Sequence, residues 1–440
     1  MGRIGYCALG YLIAALASAA AAEPSDYQRM LDQLHITAMR PGADGMHPNA
    51  ANAANQDEAR VGSLPLPDPL VRQNGKAVST ANDWWTKRRP ELVGLFEREV
   101  YGKIPANAPT VHWTHEAPHE PSPPRASKAT TEHYIGHVDN AAYPALNVDI
   151  EMDVTLPTDV HGPVPVVIAL TWTGKWANLP VPAEQGLDWR DQLLAAGWGY
   201  AELVPTTIQA DDPQKLREGI IGLTNRGETR SPEQWGALRA WGWGTSRAID
   251  VLATDPRIDA KRFAVTGHSR YGKAALVAMA FDPRIAIGYI SSSGAGGAKL
   301  WRRDYGEKLE NLTGEGEAHW MAGSFLKYGG PKTVADLPVD SHELIALCAP
   351  RPVFIGTSTK EAGDGWTDPR GMFLAAVAAG PVYRLLGQKD LGTDQFPPLG
   401  TALTDGAIGF RQHPFGHTPQ PNWTTFLSFA NARLSAPPPQ

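Results

Sequence analysis

The sequence is poor in cysteine: of 440 residues only Cys7 and Cys348 carry a thiol. Cys7 falls in a leader-like start, so the mature chain would keep one thiol and could form no internal disulfide even in an oxidising compartment. Stability must then come from a large apolar core, which the 42% hydrophobic content can supply. The formal charge is a mild −6, and Lys and Arg are scattered rather than clustered, which excludes the basic stripe that nucleic-acid binding requires. The thirteen histidines show no H-E-x-x-H or comparable spacing, and a single thiol cannot build a thiolate cage. No glycine-rich loop has a dinucleotide or phosphate pattern. Neither a metal nor a cofactor is expected. Beyond the first 22 residues no apolar run is long enough to span a bilayer, and no internal repeat occurs.

What is present begins with Arg3, an apolar stretch from Tyr11 to Ala17 and Ala-rich sequence with an A-x-A site near Ala22. This predicts a signal peptide over residues 1–22 and an exported protein, periplasmic or secreted; a membrane anchor fits less well because the apolar stretch is short. Residues 23–80 are rich in Ala, Pro, Asn and Asp, with one amphipathic run around Tyr27 to Leu34, and read as an extended arm laid over the domain. From Asn82 to Gly102 the spacing of Trp84, Leu92, Leu95, Phe96 and Val100 predicts a helix, with Trp84 and Trp85 as packing residues. Alternating runs between Val111 and Leu156 predict antiparallel strands.

Strands and helices then alternate, which implies a mostly parallel sheet. VPVVIAL (Val164 to Leu170) is a buried strand, Gln192 to Ala196 a helix, and a further strand ends at Val204. A helix spans Trp235 to Leu252, its tryptophans in the core. Ile285 to Ser291 and Arg351 to Ser358 are strands, PVYRLLG (Pro381 to Gly387) follows a helix that begins near Pro369, and Trp423 to Leu434 closes the chain as a helix. In the middle lies RFAVTGHSRYGKAAL (Arg262 to Leu276): a short apolar strand, a sharp turn and an apolar helix. A serine at the tip of such a turn has its hydroxyl exposed with the next backbone N–H aimed at the same point, as a nucleophile attacking an ester carbonyl requires. Ser269 is the candidate nucleophile; a serine that merely caps the helix is the alternative. The usual glycine two residues after the serine is replaced by Tyr271, with Gly272 one step later. The expected fold is an α/β hydrolase, a three-layer αβα sandwich with antiparallel strands at its amino-terminal edge, over residues 81–435.

A serine nucleophile needs a base and an orienting acid, which in this fold come in the chain order Ser, acid, His from loops after later strands. The final loop, RQHPFGHTPQPNW, holds His413 and His417; His417, after Gly416 and just before the last helix, is favoured. The loop TKEAGDGWTDPRG offers Glu361, Asp364 and Asp368. Asp368 precedes a proline and reads as a helix cap, Glu361 as a solvated side chain, and Asp364 as the acid.

These residues carry a resemblance. GHSRYGK resembles the nucleophile motif of the glucuronoyl esterases, carbohydrate esterase family 15, of the bacterial type, in which Ser-Arg followed by Gly-Lys replaces the ordinary elbow. SSGAGGAKLWRRDYGE (Ser292 to Glu307), SHELIALCAPRPV (Ser341 to Val353), DGWTDPRG (Asp364 to Gly371) and FGHT (Phe415 to Thr418) are similar to that family too, over most of residues 81–430. The resemblance implies hydrolysis of the ester between 4-O-methyl-glucuronic acid of glucuronoxylan and lignin alcohols by Ser269, His417 and Asp364. It implies that Arg270 meets the oxyanion with its N–H and guanidinium, that Lys273 and Glu307 contact sugar hydroxyls, and that Trp366 covers a sugar face. Some members carry a glutamate acid where this chain has Ser292, which strengthens Asp364. His319-Trp320 resembles a family pair near the pocket. The rivals are an acetyl-xylan deacetylase on the same sheet, which has no need of Arg270, Lys273 and Trp366 together, and a silent carbohydrate-binding protein. The expected oligomeric state is a monomer.

Overall fold

The structure, a computed structural model, describes residues 24–62, 65–173 and 181–434. The expected signal peptide lies outside the described residues. The first described helix, α1 (Asp26–Gln33), buries Met30 against Ile36, Ala318 and Leu326. The rest of the segment to residue 80 is largely irregular and reaches across the molecule: the Asn55 carbonyl accepts from the Gly306 amide, and Gly45 lies so close to the Trp366 ring that a Cβ there would come within 2.7 Å of it. Helical backbone then runs from Ala81 to Tyr101 and includes α2 (Arg89–Phe96), flanked on each side by a wider π-turn. It stops at Gly102, whose φ of 84° is closed to most side chains.

Among the described residues nine strands form one sheet: β1 (Val111–His115), β2 (Ala129–Val138), β3 (Asp149–Pro157), β4 (Val164–Leu170), β5 (Gly199–Leu203), β6 (Ile258–His268), β7 (Ile285–Ser291), β8 (Val353–Ser358) and β9 (Ile408–His413). Their order is β1-β2-β3-β5-β4-β6-β7-β8-β9. The pairs β1–β2, β2–β3 and β3–β5 are antiparallel, and from β5 to β9 every neighbour is parallel.

The central strands alternate between two cores, as the two-residue period of a strand demands. Val166 and Ile168 of β4, Phe263 and Val265 of β6 and Ile355 of β8 face one side. Helices Ala237–Leu252 (α4), Arg270–Phe281 (α5), Ser341–Cys348 (α6) and Pro369–Leu385 (α7) cover that side with their buried residues. Val167, Ala264, Tyr289 and Phe354 face the other, under Trp189–Ala195 (α3) and Trp423–Leu434 (α8). This is the expected three-layer sandwich. Trp235, Trp241 and Trp243 are core residues, while Trp85 is 45% exposed beside a fully buried Trp84.

Two segments differ from the sequence pattern. Pro381 to Leu385 do not follow α7 but complete it. The proline removes one helical hydrogen bond, yet Val382 and Tyr383 are fully buried in the core and the Tyr383 hydroxyl donates to the Arg351 carbonyl, so the helix carries on. The His-bearing loop begins after His413 rather than at Arg411, because Arg411, Gln412 and His413 pair in parallel with β8.

Candidate active site

Ser269 stands between the end of β6 and the start of α5 with φ 58° and ψ −127°. A non-glycine residue is held there only at a cost of about 1–3 kcal/mol, and the kink lifts the side chain off the sheet. The capping alternative fails: Ser269 makes no side-chain hydrogen bond to the helix it precedes. The glycines on either side permit the turn. A Cβ on Gly267 would lie 2.1 Å from the Tyr271 carbonyl oxygen, and one on Gly272 would lie 2.7 Å from that of Ser291. Tyr271 needs no such allowance, because its side chain turns into the core against the Trp172 and Trp241 rings, 4.6 and 5.3 Å away.

Asp364 and His417 meet across two loops: His417 Nδ1 donates to Asp364 Oδ1 at 2.8 Å. The other carboxylate oxygen accepts from Ser292 Oγ (2.7 Å), Thr357 Oγ1 (2.8 Å) and the Ser358 amide (2.8 Å). Burial pushes this carboxyl up, but the hydrogen bond and charge of His417, with Ser292 and Ser358 donating, hold it well below the usual carboxylate range. Occupation of Nδ1 leaves His417 Nε2 as the nitrogen free to serve the serine. Ser269 and His417 line one cavity of about 770 Å³, which lies where the parallel strands end. No hydrogen bond joins the two among the described residues.

The other candidates are placed elsewhere. His413 Nε2 donates to the Thr418 carbonyl and its Nδ1 accepts from the Phe415 amide, so this ring braces the loop that carries His417. Asp368 caps α7 through the Gly371 amide and pairs with Arg303 at 2.8 Å. Glu361 is solvated, its side chain 71% exposed.

Arg270 also lines the cavity. Its guanidinium carbon sits 5.4 and 5.1 Å from the centres of the Trp172 and Trp320 rings, and Nη1 donates to Asp211 Oδ2 at 2.6 Å. Lys273, Glu307 and Trp366 do not line this cavity. Lys273 Nζ donates to the Ser293 carbonyl (2.8 Å) and to both oxygens of a buried Glu307 (3.1 and 2.8 Å), so the pair is satisfied from within. Trp366, half-buried, is tied to them by its carbonyl, which accepts from the Glu307 amide.

A family model described as glucuronyl esterase of fungi matches residues 229–387. The chain is 33% identical to the carbohydrate esterase MZ0003 of an unknown prokaryotic organism, over 87% of this chain and 92% of that protein. It is 29% identical to 4-O-methyl-glucuronoyl methylesterase 1 of Wolfiporia cocos over 78% of this chain and 77% of the relative. Among solved structures, a glucuronoyl esterase of carbohydrate esterase family 15 from Teredinibacter turnerae is 45% identical, with a TM-score of 0.86 over 93% of this chain and 99% of the other. The chain belongs to the glucuronoyl esterases of carbohydrate esterase family 15. Its α/β-hydrolase fold is that of the family.

In this glucuronoyl esterase, Ser292 has φ 41° and gives its hydroxyl to Asp364, so the position supports the later acid instead of supplying one. Three residues escaped the sequence reading. Asp211 joins Arg270 to the noted His319-Trp320 pair: its Oδ1 accepts from His319 Nε2 (3.1 Å) and Trp320 Nε1 (2.7 Å). Glu317 has a buried Oε2 without a partner; burial first, and then the charge of Glu307, push its carboxyl up to about 7. His268 lies with its ring 4.2 Å from that of His417, and burial, then the His417 charge, push it down to about 3. The usable signals were proximity to Ser269 for His268 and to His319-Trp320 for Glu317; nothing in QADDPQK marks Asp211.

Proposed function

We propose that this carboxylic ester hydrolase cleaves the ester between 4-O-methyl-glucuronic acid of glucuronoxylan and a lignin alcohol, through an acyl-enzyme on Ser269. Ser269 Oγ attacks the uronate carbonyl while His417 Nε2 takes its proton, and the negative charge that forms on the carbonyl oxygen meets the Arg270 N–H and guanidinium. Collapse breaks the ester C–O bond, and His417 returns the proton to the leaving alcohol. Water then attacks the acyl-enzyme by the same route, which releases the free acid and restores the serine. Asp364 stays a carboxylate throughout and holds the imidazole in the tautomer that presents Nε2. No cofactor enters any step.

The observation that carries this reading is the His417–Asp364 hydrogen bond on the cavity that Ser269 shares. Trp172, Val181, Pro182 and Phe415 give the same cavity an apolar wall suited to an aromatic alcohol. For the sugar, Lys273, Glu307 and Trp366 are the proposed contacts, though none of them lines this cavity and Lys273 and Glu307 are paired with each other. The leader expected over residues 1–22 puts the enzyme in the periplasm or the medium, as a monomer. Benzyl glucuronate and an acetylated xylan, assayed side by side, test the function. Turnover of the first alone, abolished in a folded Ser269→Ala variant, is the expected result; turnover of the xylan alone indicates a deacetylase, and of neither a binding protein.

A further inference from the structure

We propose that Asp211 is a positioning residue for the Arg270 guanidinium, pinning that cation at the mouth of the cavity where charge develops on the substrate carbonyl; this rests on the esterase reading above. Arg270 follows the nucleophile directly, and its side chain is 38% exposed, so nothing on its own helix holds the guanidinium in one place. An exposed ion pair would contribute little, because both partners remain free to move. Asp211 is not free. Its side chain is 12% exposed, and its second oxygen is held by Trp320 Nε1 and His319 Nε2, 109 and 108 residues further along the chain. The carboxylate is a fixed post, to which Nη1 of Arg270 is tied at 2.6 Å.

The rings add direction. Trp172 and Trp320 both lie within 5.4 Å of the guanidinium carbon, a range in which an aromatic face attracts a cation. Asp211 takes only one of five guanidinium N–H donors, which leaves others for the oxyanion. A donor fixed before the reaction needs no reorganisation when charge appears, and that is the condition under which it favours the transition state over the bound ester.

The test measures Asp211→Asn, Arg270→Ala and the double variant on benzyl glucuronate and on p-nitrophenyl acetate. Asp211→Asn should lower kcat by about 10- to 100-fold, less than the roughly 10²- to 10³-fold that loss of an oxyanion donor costs, with KM within about twofold. The double variant should be no slower than Arg270→Ala, since both changes remove one device. Labelling of Arg270 by phenylglyoxal, read by peptide mass spectrometry, should be several-fold faster in Asp211→Asn. Additive losses, or unchanged labelling, would overturn the proposal. If Asp211→Asn fails to fold, Trp320→Phe, which removes one donor to Asp211, should show a smaller loss of kcat and faster labelling, and no change in either would overturn it equally. If the wild type ignores benzyl glucuronate, the substrate reading fails, while the labelling and the acetate kinetics still decide the role of Asp211.

Discussion

Three carboxylates lie within eight residues of one another on the loop after β8, and burial with hydrogen bonding separates them. Asp364 is fully buried and receives four donors, one of them from His417. Asp368 is equally buried but committed to Arg303 and a helix cap. Asp364→Asn should therefore cost on the order of 10³- to 10⁴-fold in kcat by favouring the wrong histidine tautomer, and it should also lower stability, since a buried carboxylate held by four donors is replaced. Asp368→Asn should instead destabilise by roughly 3–5 kcal/mol, as loss of one partner of a buried pair does, and Glu361→Gln should change neither. Steady-state kinetics and urea melts on the three variants decide the assignment. The order Ser, acid, His limited the choice to these residues from sequence, and the proline after Asp368 already marked it as a cap. What the chain could not display is Ser292, 72 residues away, donating to Asp364, or the use of His413 as a brace; both depend on contacts that only the folded sheet creates.

Among the elements, the turn from β6 to α5 is the one that tolerates least. Its backbone strain at Ser269 persists because the close approach of Gly272 to the Ser291 carbonyl fixes the helix start against β7. Gly272→Ala would set a Cβ 2.7 Å from that backbone oxygen and 3.2 Å from the Ser293 Cβ. The helix must then shift, at roughly 1–3 kcal/mol for an overpacked site, and a shift of the nucleophile by a fraction of an ångström lowers kcat as well. A lower melting midpoint together with at least about 10-fold slower turnover is expected; full activity at unchanged stability would show that the turn has slack. Strands β4, β7 and β8 were legible as apolar runs because both faces of each are covered, whereas β6 was legible only over its buried second half, Phe263 to Thr266, and not over Asp259 to Lys261, which are half-buried or exposed. Strand β9 was not, since it is the sheet's last strand and its end carries Arg411 and Gln412. The end of α7 was hidden by Pro381, whose usual meaning burial of Val382 and Tyr383 overrides.

Over the whole molecule, carboxyls gathered around the site pull stability in opposite directions as pH changes. Burial pushes Asp211 up, but the hydrogen bond from His319 and the charge of Arg270 prevail and bring it down to about 2, below its ordinary 3.8; Asp364 is likewise lowered. A lowered carboxyl contributes stability that is present above its unfolded value and lost as pH falls through the folded one. Glu317 is the reverse case, raised from 4.5 to about 7 by burial and the charge of Glu307. Between those two values the folded chain binds more protons there than the unfolded chain, so stability falls as pH rises through the window and levels off above it. Glu317→Gln keeps the shape of the neutral acid and cannot ionise. Urea melts at pH 4.5 should then leave variant and wild type level, and at pH 8 the variant should be the more stable, by on the order of 3 kcal/mol at most. Curves that stay parallel from pH 4.5 to 8 would mean that the Glu317 carboxylate is solvated or paired in the folded chain.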